Sequence, residues 1–431
     1  MLTTSVHPPA ELLDRLVGGA VASRVADGPR AACVRAARPL VGEITALRES
    51  LHVAGLAKVL LVTTPEVGAL AEALAGDGAR LLVLDSADPV RVADALDGDL
   101  DATVLTVAVP PGTAPVDVRA LGRVVDEVRA GFRAEGLDPV AHTVVVAAGP
   151  DSPGAGVTVT AGAAGAFSPY VLVPAGLAGA DVAALVTDAV AARDGLLADD
   201  PANPALVLGA LLAEHTVVEV GDRFTAALLD AFGGQPVPVV HDGNPGVHQA
   251  LRIGPDGDVD VPGPAAARIL LWEHAAAVAA HLRGPADLSP SGAALRPAFT
   301  DDDVKVSAGA WLPDGTTTVG DALLALLDID GTHVALHAHL DRESDASIAL
   351  LRDVLARRTG RTVTFDWGPA LRPGAAVCQI TGAGDGRSGL DDAQAGQADA
   401  DAAAQPGPVL RLHLTDRLLG MVAVVRAVQH L

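Results

Sequence analysis

His337 and His339 in THVALHAHLDR lie two residues apart on a run that reads as a strand, so both imidazoles fall on one face and could be presented to a metal. A metal site needs further ligands, each held by partners of its own. No HExxH motif or carboxylate cluster accompanies the pair. The spacing therefore reads as a polar strand end, and neither a metal nor a cofactor is expected.

Three other places could carry chemistry. In PPGTAP, Gly112 and Thr113 follow a strand and precede a helix, where backbone N–H groups can face an anion. Pro110, Pro111 and Pro115 remove donors there, which favours a proline-stiffened turn. In GAFSP, Ser168 is the one hydroxyl of a small-residue loop, and without a GxSxG elbow it reads as a capping or turn serine. In RILLWEHAAAVAAHL, Glu273 lies on a long apolar helix beside Trp272 and His274. It could be a general base with a raised pKa, or a structural carboxylate placed five residues from Arg268. Chemistry that needs a lysine has two candidates, because Lys58 and Lys305 are the only lysines beside 28 arginines.

Strands and helices must alternate to position these groups. Strands are expected at 58–63, 80–85, 102–108, 142–147 and 170–173, with helices at 66–76, 88–96 and 115–135 between them. Residues 1–35 read as a helical lead-in, and ADDPANPA at 198–205 reads as a hinge between domains at 36–200 and 201–431. Beyond the hinge the pattern predicts helices at 206–215, 222–232, 264–282, 319–327, 342–358 and 415–430. Strands are predicted at 216–220, 236–240, 332–340, 362–366, 375–380 and 408–414. The stretch 381–406 is rich in Gly, Ala and Asp and fits a short surface helix or a solvated loop. The expected fold is α/β: two tandem αβα sandwiches with parallel sheets.

Composition bounds the partners. Half of the 431 residues are hydrophobic and the net charge is −23, which excludes nucleic acid and anionic membrane surfaces as partners. No apolar run reaches the roughly 20 residues of a bilayer span, and no basic n-region opens the chain, so a cytoplasmic protein is expected. Cys33 and Cys378, far apart and without CxxC spacing, read as buried free thiols.

Several segments, in order and spacing, resemble the divergent glucose-6-phosphate isomerases of actinobacteria. They include AARPLVGEITALRESLHVAGLAKVLLV, LLVLDSADPVRV, VLVPAGLAGADVAAL, ILLWEHAAAVAAHL, VALHAHLDRESDASIALLRDVLARRTGRTVTFDWGP and PVLRLHLTD. The likeness runs from about Ala36 to the carboxyl terminus. It implies two sugar-isomerase domains with the active site between them, and a reaction that moves a proton between C2 and C1 of a sugar phosphate.

The motifs that such chemistry needs are eroded. A Gly-Met-Gly-Gly-Ser-Ser turn would follow Val62, where the chain runs directly into Thr63-Thr64-Pro65-Glu66. A Ser-Lys-Ser-Gly-Thr-like loop aligns with VAVPPGT, which keeps only Gly112 and Thr113. A Gly-Gly-Arg-Tyr-Ser turn aligns with AGAFS, which keeps Gly165 and Ser168 but has Ala166 for the arginine. The Glu-Ser-x-Gly-Lys segment aligns with LLDAFGGQ, with Ala231 at the glutamate and Gln235 at the lysine. Asp230 is adjacent, but one helical step turns a side chain by about 100°. A carboxyl-terminal lysine is also missing, since GPALRPGAAVCQIT is too short for its loop.

The resemblance therefore implies a homologue that has lost, or nearly lost, isomerisation and is kept as a regulatory, scaffolding or subunit protein. Its ligand would be a sugar phosphate, and its partner a second copy or another protein. One alternative is an active isomerase with a rebuilt site, using Glu273 or Asp230 as base and Arg268 for phosphate. Another is a small-molecule sensor that uses the cleft between the domains.

Overall fold

The computed structural model describes residues 2–26, 29–76, 78–149, 154–162, 164–215, 217–220, 225, 228–229, 237–240, 250–284, 295–329, 333–342, 344–368, 375–383 and 390–431. They divide into two compact units. The first comprises Met1–Asp85, Val92–Val240 and Ala250–Pro285; the second takes in Ser86–Arg91 and the described part of Ala286–Leu431.

The chain begins with β1 (Thr3–Thr4), α1 (Ala10–Gly18), α2 (Val21–Ala26) and α3 (Pro29–Val53). There follow β2 (Lys58–Thr63), α4 (Pro65–Ala75), β3 (Leu81–Leu84), α5 (Pro89–Leu96), β4 (Thr103–Ala108), α6 (Pro115–Ala134), β5 (Thr143–Ala147) and β6 (Val157–Thr160). Next come α7 (Pro169–Leu177), α8 (Val182–Leu197), α9 (Pro204–Glu214), β7 (Val217–Val220), β8 (Val237–Val240), β9 (Leu251–Ile253), β10 (Val259–Asp260) and α10 (Ala265–Arg283). The second unit holds β11 (Arg296–Asp301), β12 (Val304–Ala308), α11 (Val319–Leu327), β13 (His333–His339), α12 (Leu351–Thr359) and β14 (Val363–Trp367). It closes with β15 (Ala375–Gly382), α13 (Asp391–Ala404), β16 (Val409–Leu414) and α14 (Arg417–Gln429).

The described residues form three sheets, ordered β3-β2-β4-β5-β6, β1-β10-β9-β7-β8 and β11-β12-β16-β15-β13-β14. In each, the second strand of a parallel run flanks the first on one side and the third flanks it on the other. This is the doubly wound order, whose switch point lies between the first and third strands. Antiparallel strands are appended at the edges: β1 on β10, and the β11–β12 hairpin on β16. The α/β class and the dominance of parallel strands agree with the sequence reading. The first unit carries two of the sheets.

The first unit's core is continuous from Val34 and Ile44 through Leu61, Val104 and Phe167 to Val218, Ile253 and Trp272. Helices α9 and α10 meet at Gly209, where a Cβ would stand 2.6 Å from Val278 and 2.8 Å from the Ala275 carbonyl. Residues 198–205 lie inside this unit. There the Asn203 amide donates to the Leu196 and Ala198 carbonyls at 2.9 and 2.7 Å, and its oxygen caps α9 through Ala205 N.

Two local readings need correction, and one left open is decided. Residues 170–173 are not a strand but part of α7. Ser168 is extended, Pro169 takes the first helical position, and every residue from Tyr170 to Leu177 is buried. A run buried on all sides carries no period to tell helix from strand. The helix expected over 342–358 is a 3-10 turn at Ala346–Leu350 followed by α12. Within 381–406 the helical alternative holds for Asp391–Ala404, which form α13, with Ala393, Gln397, Ala398, Asp401 and Ala402 buried on one face. Alanines with buried Gln and Asp give that face almost no hydrophobic signal.

Candidate functional site

The third sheet has two unlike faces. Val304, Val306, Leu336, Cys378, Ile380, Leu410 and Leu412 point into an apolar core with α11, α12 and α14. Strand alternation sends their neighbours to the other face, under α13. Register then lines these neighbours up in two rows. His337 pairs with Gln379, Gln379 with Arg411, and Arg411 with Ser307; one step on, His339 pairs with Thr381, Thr381 with His413, and His413 with Lys305. The second row stands at the carboxyl ends of β13, β15 and β16, and it spans the switch point between β13 and β15 where open α/β sheets bind ligands.

A buried network fixes the first row. Asp401 of α13 accepts from His337 Nδ1 at 3.1 Å, His339 Nε2 at 3.2 Å and Gln379 Nε2 at 3.1 Å, and from Gln405 Nε2 at 2.9 Å through its other oxygen. Burial opposes its ionisation. The charge of His337, with hydrogen bonds from His337 and His339, outweighs this and holds the carboxyl well below the usual range. Gln379 uses both ends of its amide: it also donates to the Ala398 carbonyl at 2.8 Å and accepts from Arg411 Nε at 2.6 Å. Arg411 continues to Asp399 at 2.5 Å and to the Ala398 carbonyl at 3.0 Å.

The second row floors a cavity of about 650 Å³, a size suited to a small ligand. Its walls include Lys305, His339, Thr381 and His413 from the sheet and Asp391, Asp392 and Asp399 from α13. Thr381 Oγ1 and His413 Nδ1 share a hydrogen bond at 3.0 Å. Burial, and then the charges of Lys305 and Arg411, push His413 below its ordinary pKa, so it is neutral at pH 7. Gly368 lies against His339, where a Cβ would collide with the imidazole. The histidine pair is thus a buried hydrogen-bonded cluster and not merely a polar strand end. Among the described residues no group of His, Cys, Asp or Glu is arranged to hold a metal ion.

The residues singled out from sequence lie elsewhere, and apart from His339 and Lys305 none lines this cavity. Gly112, with φ +92°, sits in a turn closed by the Thr113 hydroxyl, which donates to the Pro110 carbonyl at 2.8 Å. Gly165 accepts from Ser168 N at 3.0 Å, and the Ser168 side chain is fully buried at the start of α7. Glu273 is buried on α10 within the first unit, and Arg268 of the same helix donates to Thr225 Oγ1 at 3.3 Å. Asp230, Ala231 and Gln235 fall outside the described residues. At the junction after β2, Thr64 alone separates strand from helix, and Thr63 Oγ1 donates to the Ala108 carbonyl at 2.5 Å.

Lys305, Thr381, Gln379, Arg411, His413 and Asp401 were not assigned to a site from sequence. A signal was present in VCQIT and VLRLHL, which alternate apolar with polar although inner parallel strands are usually apolar throughout. Two such strands side by side announce a polar face.

No family model matches the chain, and no curated protein matches it. Solved structures do. A hypothetical protein from Thermus thermophilus is similar with a TM-score of 0.40 and 16% identity, over 97% of this chain and 87% of that one. A glucose-6-phosphate isomerase from Chlamydia trachomatis is similar with a TM-score of 0.39 and 14% identity, over 97% and 78%. A protein assigned as a phosphosugar isomerase from Silicibacter pomeroyi gives 0.35 and 14%, over 64% and 98%. With scores below 0.5, the α/β assignment rests on the sheets described above. No helix among the described residues is long and apolar enough to cross a membrane.

Proposed function

We propose that this chain is a sugar-isomerase-like scaffold that has lost or nearly lost aldose–ketose isomerisation and now binds a small molecule, as a regulatory or subunit protein of sugar-phosphate metabolism. The ligand seat is the cavity of the second unit. The observation that carries this reading is the row His339–Thr381–His413–Lys305, which sets donors and acceptors from four strands along one wall of a 650 Å³ cavity at a switch point. The resemblance to glucose-6-phosphate isomerases supports a phosphorylated ligand. The replacements at its motif positions, Ala166, Ala231 and Gln235, support the loss of chemistry.

Two measurements test this. Purified protein in a coupled assay should convert no glucose 6-phosphate to fructose 6-phosphate, and turnover near ~10 s⁻¹, a typical enzyme value, refutes the loss. Calorimetric titration should show sugar-phosphate binding that Lys305→Met weakens. A second reading, a rebuilt isomerase with Glu273 as base, draws on the burial of that carboxylate, and it predicts that any turnover falls by ~10²-fold or more in Glu273→Gln.

A further inference from the structure

Two opposite charges on the walls of the cavity, Lys305 on the sheet side and Asp392 on the helix side, make no ion pair among the described residues. On the sheet side, Lys305 is exposed on β12 and makes no ion pair among the described residues. Its neighbour Arg411 is already neutralised by Asp399 at 2.5 Å. Around Lys305, the Thr381 hydroxyl and the neutral His413 imidazole add neutral hydrogen-bonding groups. The floor is therefore a local positive spot in a chain of net charge −23. On the helix side, Asp392 is exposed in the first turn of α13 and likewise makes no ion pair among the described residues.

A ligand that carried only an anion would satisfy Lys305 and bring its own charge under the carboxylates of α13. A purely cationic ligand would meet the converse penalty. Resting on the binding role proposed above, we infer that the cavity selects a dipolar small molecule, with a phosphate or similar anionic group seated on Lys305, Thr381 and His413 and an ammonium group directed at Asp392. Selection of this kind depends on the repulsive partner as much as the attractive one, because Asp392 disfavours ligands whose amine is absent or acylated.

Calorimetric titration of the full chain with glucosamine 6-phosphate, N-acetylglucosamine 6-phosphate and glucose 6-phosphate tests this. All three carry phosphate and only the first carries an ammonium group. The expected result is that glucosamine 6-phosphate binds about tenfold or more tightly than the other two, that Asp392→Asn erases this preference, and that Lys305→Met weakens every probe. Both substituted positions are exposed, so melting temperatures should stay within about 2–4 °C of the parent. Equal affinity for the three probes with Lys305 dependence intact overturns the dipolar inference and leaves the binding role standing. A preference that survives Asp392→Asn also overturns it. Absence of binding, or binding indifferent to Lys305→Met, overturns both.

Discussion

Asp401 Oδ2 stands 3.2 Å from His339 Nε2, so the helix on one side of the cavity and the strand that floors it are joined through a buried carboxylate. The same oxygen holds His337 at 3.1 Å. Replacing this carboxylate leaves two buried imidazoles without their acceptor.

Asp401→Ala should therefore cost about 3–5 kcal/mol of stability, the range for removing one partner of a buried charged pair. Urea unfolding followed by circular dichroism measures it. A loss below about 1 kcal/mol would mean that the network contributes little to holding α13 on the sheet.

The pH dependence of Asp401 follows from its depressed pKa. A folded-state value below the unfolded one, about 3.9, means that the stabilisation is fully present above that pH. It is lost as the pH falls below about 4 toward the folded-state value. Asp401→Asn should accordingly show a shallower decline in melting temperature below pH 4 than the parent does.

Asp88 behaves in the opposite sense. Burial and then the nearby Asp341 raise its pKa to about 6, against hydrogen bonds from Val90 and Arg91. A raised carboxyl favours the protonated native state, so stability falls as the pH rises from about 4 through about 6. Asp88→Asn keeps the cap of α5 through its amide oxygen and should be about 2 kcal/mol more stable than the parent at pH 7.5. Equal melting temperatures at pH 7.5 would refute the assignment.

Gly368→Ala places a methyl group against the His339 imidazole. The ring must turn away from Asp401, at a cost of about 1–3 kcal/mol, and ligand affinity at the cavity should fall with it. The control is Gly360→Ala, in open space beyond α12, where a positive φ of +64° adds only local strain. That variant should leave binding unchanged.

Most of the parallel strands and the helices between them were legible because short continuous apolar runs mark buried strands and amphipathic helices print their period on the sequence. Val59–Val62 and the helix at 115–134 are examples. Two of the exceptions share a cause. In α7 every side is buried, and in α13 the buried face is alanine, glutamine and aspartate, so neither presents a contrast between faces. The β11–β12 hairpin went unread, although Lys305 and Ser307 alternate with valines there. At the site, His337 and His339 were visible as a pair, but their partner Asp401 comes from 62 residues beyond His339. Only the register of β13, β15 and β16 brings His339, Thr381 and His413 into one line, and register is a property of tertiary pairing.

The hairpin has one further consequence. Strand β12 runs against β16, so Lys305 reaches the cavity from an appended ribbon while the other members of its row come from the wound core. Exchanging Arg296–Ala308 for another ribbon of equal register would change the cation offered to a ligand and leave the strand crossovers untouched. Recognition in this protein can drift by a graft at the sheet's margin, independently of the architecture that supports it.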